Sequence, residues 1–557
     1  MPRNEMHSFS ATPEANIPRS RFSMPCNVKF TGNTGKLIPF YVCEVLPGDT
    51  FQVRTSIVCR LQTLIHPIFD NIYLDTYYFY VPNRLVWDNW KHFCGEPDKA
   101  WVPSREWTIP EVAVGWNYAE YEGDTPEEQL ANFYKESFKD SVLDYMGIGL
   151  SPNGAPYGRI NALPLRGYKK IYDDWFRDEN LEDPENLNTS DAVLIIASKS
   201  QWNHVGDGKP YTACKLHDYF TSALPQAQRG NPVELVTGAN VEPASVYSRR
   251  VIHSTIYPGE TASALRAGNN VVRYNSDGNV VVSGADTDES FIPSNLYGDL
   301  RNLNLGITIN DLRMAFQVQK FMERSARGGA RYIEILKSMF GVTSPDSRLQ
   351  RSEYLGGHRV PINIHQIVNT TETIDTPLGN TGAMSVTSDV HEDFVHSFVE
   401  HGFVIGICCV RYKHTYPQGM DRMWTRKTKF DYYWPVFANI GEQPIRNKEI
   451  FLGNQNQQDL VFGYQEAWAD YRYKPNRVMG EMRPGIPNSL ASWHLADYYT
   501  SQPILSKEWI KEDIMPVDRA IAVQSEVADQ FLFDILIDNN ATRPMPLYSV
   551  PGLVDHF

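Results

Sequence analysis

Residues 65–90, IHPIFDNIYLDTYYFYVPNRLVWDNW, constrain this chain more than any other stretch. After Ile68, the residues Asn71, Tyr73, Asp75, Tyr77, Phe79 and Val81 recur in period two, the spacing of a strand with two unlike faces. Residues 77–81 are then almost wholly aromatic and β-branched, so both faces of that strand must be covered. Pro82 and Asn83 end it, because proline has no N–H to give to a ladder.

The composition around this strand points the same way. With 12% aromatic residues, 36 prolines and 37 glycines in 557 residues, the chain reads as many short strands joined by long, punctuated loops. An apolar content of 42% supports a sizeable core, and 21% charged residues argue against disorder. No apolar run approaches the ~18 residues of a membrane span. The first residues carry no apolar signal stretch, so synthesis in a cytoplasm is expected. Seven cysteines without a CxxC or regular spacing are no disulfide framework. Cys408 and Cys409, within FVIGICCV, are expected in the core. The net charge of −14 makes the chain a poor general coat for a polyanion. Any nucleic-acid contact must then be local, or a separate basic protein must supply countercharge.

Along the chain, residues 1–36 read as an extended arm and 37–229 as the first part of a β body with helical insertions. Within it, 125–147 predicts one helix, capped by Thr125 and Glu128 and ended by Gly147. Residues 230–306 hold no tryptophan or cysteine and carry eight acidic against five basic residues. They read as an inserted surface subdomain, with a hairpin turning at Asp277-Gly278. Tyr274, Asn275, Ser276, Asp277, Gly278 and Asn279 are the candidate contact residues at its tip. The second part of the body spans 307–540, and 541–557 form a proline-broken arm. Near its start, Asn310 is expected to cap a helix with Leu312, Ala315, Phe316, Met322 and Ala326 on one face. Arg313, Lys320, Arg324 and Arg327 lie on another, as candidates for subunit or phosphate contact. Gly328-Gly329 separates a second helix that spends Tyr332, Ile333, Ile335, Leu336, Met339 and Phe340 on packing and ends at Gly341.

Catalytic motifs do not fit. His391, Glu392 and His396 miss the one-turn histidine spacing of the zinc proteases, and solvated or interface histidines are expected there. Gly32, Gly35 and Lys36 lack the spacing and hydroxyl of a phosphate loop. Gly147 and Gly149 follow a helix rather than a strand, and no GxSxG elbow occurs. No catalytic, cofactor or metal residue is assigned. Twelve tryptophans and thirty tyrosines leave a lectin-like or carbohydrate-active β-sandwich enzyme as the competing reading.

Several long strings go further: LPGDTF, the aromatic strand through FCGE, KLHDYFTSALPQAQRG, residues 310–357, FDYYWPVFANIGEQ and MPVDRAIAV. Together they resemble the major capsid proteins of Microviridae, specifically the gokushovirus branch of small single-stranded DNA phages. The likeness is weakest at 230–306. It implies an eight-stranded antiparallel jelly roll with long loop insertions and a few helices. Sixty copies would build a T=1 shell around circular single-stranded DNA. A small basic DNA-packaging protein, a scaffolding protein and a bacterial surface receptor are the implied partners. The inserted loop would protrude at threefold axes as a host-contact surface.

Overall fold

The computed structural model describes residues 17–97, 106–115, 120–149, 158–230, 246–248, 266–267, 270–274, 280–282, 296–298, 309–329, 331–370, 378–379 and 381–548. Eight strands form the body: β1 Ser20–Gly32, β2 Ile38–Val45, β3 Thr50–Leu61, β4 Ile72–Pro82, β5 Glu353–Pro361, β6 Thr387–Ser397, β7 Gly402–Tyr412 and β8 Phe531–Arg543. One sheet has the order β1-β8-β3-β6 and the other β5-β4-β7-β2, and every pairing is antiparallel. Strands distant in sequence alternate across both sheets, which is the connectivity of a jelly roll.

The period-two pattern explains the sandwich. Phe51, Val53 and Ile57 of β3 and Phe533, Ile535 and Ile537 of β8 meet Leu74, Tyr78 and Tyr80 of β4 in one buried cluster. Val404, Cys408 and Val410 of β7 complete it. Thr55 Oγ1 and the Tyr78 hydroxyl, on facing sheets, are 2.7 Å apart. The alternate residues Phe79, Val81, Phe403, Ile405, Ile407 and Cys409 enter a second buried cluster on the outer face. Both faces of the aromatic strand are therefore covered, and both adjacent cysteines are buried.

Three helices matter here: α1 Pro126–Phe133, α2 Leu163–Ile171 and α3 Ile309–Gly328. Helix α2 covers the outer face of β4 and β7 through Tyr168 and Ile171, with Trp87 and Trp202 beside it. Gly167 permits that approach, since a Cβ there would lie 3.1 Å from Ile405 Cδ1.

Several expectations need correction. Residues 1–36 are not simply an arm, because β1 begins at Ser20 and pairs with β8 along its whole length. Phe22, Met24, Val28 and Phe30 are half-buried on alternate positions, too sparse a pattern to signal a strand without its partner. Pro25 is tolerated because β1 is an edge strand. Likewise β8 runs to Arg543, past the expected start of the second arm. The 125–147 segment is not one helix. The Thr125–Glu128 capping box forms, but α1 widens into a π-turn at Tyr134–Phe138. Asp140 then takes a left-handed φ of 60°, and Ser141 caps a separate turn, Val142–Tyr145. Asn310 lies inside α3 rather than capping it. None of the side chains of Tyr332–Ile335 or Leu336–Phe340 is fully buried: Ile333, Ile335, Leu336 and Met339 are half-buried, while Tyr332 and Phe340 are exposed.

The chain divides into two compact units, residues 1–227 with 325–557, and Gln228–Arg324. The second is wider than the expected 230–306, because it takes in most of α3. Its described residues include a strand pair, Val246–Ser248 with Leu296–Gly298, and a three-stranded set, Arg266–Ala267, Asn270–Tyr274 and Val280–Val282.

Candidate functional site

Of the hairpin residues named from sequence, Tyr274 ends a strand and pairs with Val280. Asn275, Ser276, Asp277, Gly278 and Asn279 lie outside the described residues. Arg313, Lys320, Arg324 and Arg327 are all exposed on α3, and their spacing of 7, 11 and 14 residues from the first keeps them on one face. Arg327 is ion-paired with Glu442, so its charge is already matched within the chain.

The site that sequence reasoning missed lies between β7 and β8. Two loops there, residues 416–426 and 470–486, enclose a cavity of about 1130 Å³. Tyr219, Phe220, Tyr416, Ile445, Ile450, Phe462 and Trp509 form a buried cluster that supports it. Arg422, Arg426, Arg472, Lys474, Arg477 and Arg483 line the cavity against Asp421, Glu449 and Asp470. Six cations against three carboxylates make a local positive excess in a chain of net charge −14.

Each acid already has a charge or hydrogen-bond partner. Asp470 pairs with Arg426, and Asp421 with Arg477 and, at 3.5 Å, Lys474. Glu449 accepts from Tyr219 Oη at 3.1 Å and from the Arg446 amide at 3.0 Å. Burial pushes its pKa up. Some of the aromatic groups are stacked and others are exposed. The Arg426 guanidinium lies 4.2 Å from the Tyr471 ring centre, and the Tyr219 and Tyr473 rings stack at 5.0 Å and 8°. Trp424 on the lining is exposed, and so are nearby Phe430, Tyr432, Tyr433 and Trp434. Such a groove offers π-faces and guanidinium planes, the combination that binds single-stranded nucleic acid without reading its sequence. The interleaving was visible in RMWTRKTKFDYYW as alternating cations and aromatics.

Close by, His414 is completely buried. Its Nδ1 lies 2.8 Å from Asp497 and its Nε2 3.1 Å from Glu512. Burial alone would lower the imidazole pKa, but the two carboxylates raise it to about 9. Burial would likewise raise Asp497, yet His414 and Lys215 hold it at about 2. A charged clamp thus ties the end of β7 to the segment leading into β8.

A jelly-roll body with large exposed apolar side chains has the build of a viral shell subunit. The chain matches the capsid protein (F protein) family over residues 10–553, and it belongs to that family. It is 38% identical to capsid protein VP1 of Spiroplasma virus 4, with 98% of each chain covered. VP1 of Chlamydia phage 1 is 35% identical, over 99% of this chain and 98% of its own. VP1 of Bdellovibrio phage phiMH2K is 36% identical, over 100% and 99%. The resemblance to Microviridae capsid proteins is borne out, and the carbohydrate-enzyme reading gives way to a self-assembling structural protein of the virion. No helix among the described residues is long and apolar enough to cross a membrane.

Proposed function

We propose that sixty copies of this chain form a T=1 icosahedral shell around circular single-stranded DNA, assembled in the host cytoplasm with a scaffolding protein. The observation that carries the reading is the capsid-family match along nearly the whole chain. The exposed surface supports it. Ile309, Met314, Phe316 and Phe321 of α3, and separately Tyr332 and Phe340, are large apolar side chains left uncovered in the single chain. Exposed apolar groups at this density mark protein contact surfaces. Sedimentation of the expressed protein tests assembly. Particles of several megadaltons are expected, and material confined to a few subunits would overturn the reading.

The genome meets the shell locally, through the groove lined by Arg422, Arg483 and Trp424. Bulk countercharge comes from a separate small basic protein, since the chain itself is acidic. The unit Gln228–Arg324 carries the bacterial receptor contact at residues 274–279, on a threefold protrusion. Loops displayed on a rigid scaffold are where recognition concentrates. Replacing residues 275–279 with a short Gly-Ser link is expected to leave particles that assemble but no longer adsorb to host cells. Unchanged infectivity would remove the role from the hairpin, and failed assembly would make it a brace between subunits.

A further inference from the structure

The edge where the two sheets meet carries a histidine and carboxylate cluster. His358 of β5 and Asp389 and His391 of β6 bring one ligand-type atom each within 4.8 Å of one another. His391 Nδ1 lies 3.1 Å from Asp389 Oδ2, and His358 Nε2 lies 3.6 Å from the same oxygen. Ligands about 2.0–2.1 Å from a tetrahedral ion stand about 3.3 Å apart, close to both separations. The expected helical geometry for His391 and His396 does not apply, because both lie on a strand.

We propose that His358 Nε2, Asp389 Oδ2 and His391 Nδ1 form a site for a divalent transition metal of the zinc type, fastening β5 to β6. Two imidazoles and a carboxylate suit zinc and its neighbours rather than calcium or magnesium, which take oxygen ligands.

A second observation concerns the other face of the His391 ring. Its Nε2 lies 3.0 Å from Asp393 Oδ1, and the Asp393 side chain is completely buried. Both are buried atoms that make no hydrogen bond. This places a carboxylate behind the histidine proposed to bind the metal, the arrangement that fixes the tautomer with Nδ1 free to ligate. Asp393 is available there because it is the extra residue of a β-bulge in β6, between Glu392 and Phe394. A matching irregularity in β5 falls between Tyr354 and Gly356. The bulges touch, since a Cβ on Gly356 would lie 2.2 Å from the Asp393 carbonyl oxygen. Strands β5 and β6 belong to different sheets and share no ladder, so a metal there closes an edge that backbone hydrogen bonds leave open. His358 and Asp389 are 48% and 32% exposed at the side chain, which leaves a fourth position for water or a group from a neighbouring subunit.

The test uses purified full-length chain, stripped with a chelator and titrated with Zn2+ by calorimetry and with Co2+ by visible absorption. One bound ion per chain, tetrahedral Co2+ bands and a Zn2+-dependent rise in Tm are expected. His358→Gln and Asp389→Asn change partly exposed side chains. Each should melt like wild type in chelator while losing the bands and the Zn2+ response. Asp393→Asn should keep the bands and weaken binding by roughly 10–100-fold, as outer-sphere partners do. Wild type without tetrahedral bands, or a His358→Gln/Asp389→Asn double variant that binds Zn2+ as wild type does, would overturn the site. Unaltered affinity in Asp393→Asn would remove its positioning role.

Discussion

At the scale of single residues, the buried His414 clamp has the clearest consequence for stability. A histidine whose folded pKa stands at about 9, above the unfolded value of about 6.5, stabilises fully below the unfolded pKa. That contribution fades as pH rises through about 9. Asp497, held at about 2, contributes above the ordinary carboxylate pKa of about 3.9, and its share fades as pH falls through about 2. Unfolding of the soluble subunit in denaturant should therefore show a loss of stability between about pH 6.5 and 9 that His414→Gln abolishes. A variant retaining the full alkaline slope would show that other groups cause it. His414→Ala should cost about 3–5 kcal/mol at neutral pH, because it leaves buried carboxylates without their cation.

At the scale of elements, β1 changes what a terminal truncation can do. Residues 17–19 belong to no strand, whereas Ser20–Gly32 pairs with β8 across thirteen positions. Removing residues 1–19 should leave a folded subunit and test whether the extreme terminus reaches across neighbours, read as assembly yield. Removing residues 1–36 should instead expose the β8 edge to other chains and give aggregation, read by light scattering. If the longer truncation stayed monomeric and melted like wild type, β1 would not be part of the stable sheet. The strand escaped sequence reading because six of its thirteen positions are exposed, four of them polar. The ladder to a partner about 500 residues away supplies what local apolar pattern lacks. By contrast β4 and β7 were legible, since burial on both faces demands near-continuous apolar residues.

At the scale of the whole molecule, the proposed genome contact sets a local cationic groove against a chain of net charge −14. Single-stranded DNA binding by the chain should weaken with salt at a slope of about 0.7 per phosphate contact. Arg422→Ala with Arg483→Ala should lower that slope by up to about 1.4, while Trp424→Ala should reduce affinity by about 1–3 kcal/mol with the slope unchanged. Filter binding across a salt series reads both. Equal slopes in wild type and the double arginine variant would move the DNA contact elsewhere. The groove was only partly legible. Residues 422–437 show their alternation of cations and aromatics directly, but Asp470, Tyr471, Tyr473 and Arg483 arrive from a loop some 50 residues away.

Local period and side-chain chemistry were enough to set the β class, the covered aromatic strand, the buried cysteine pair and the capping box at Thr125. The sequence also carried the family, because the strings that mark it survive whatever the fold does around them. Tertiary structure decided the rest. Strand order in a jelly roll is set by pairings between segments hundreds of residues apart, and no local signal encodes them. The His358, Asp389 and His391 cluster exists because two edge strands bulge toward each other. The His414 clamp exists because Asp497 and Glu512 return from a long loop to the end of β7. Both depend on proximity in space, which spacing along the chain does not record.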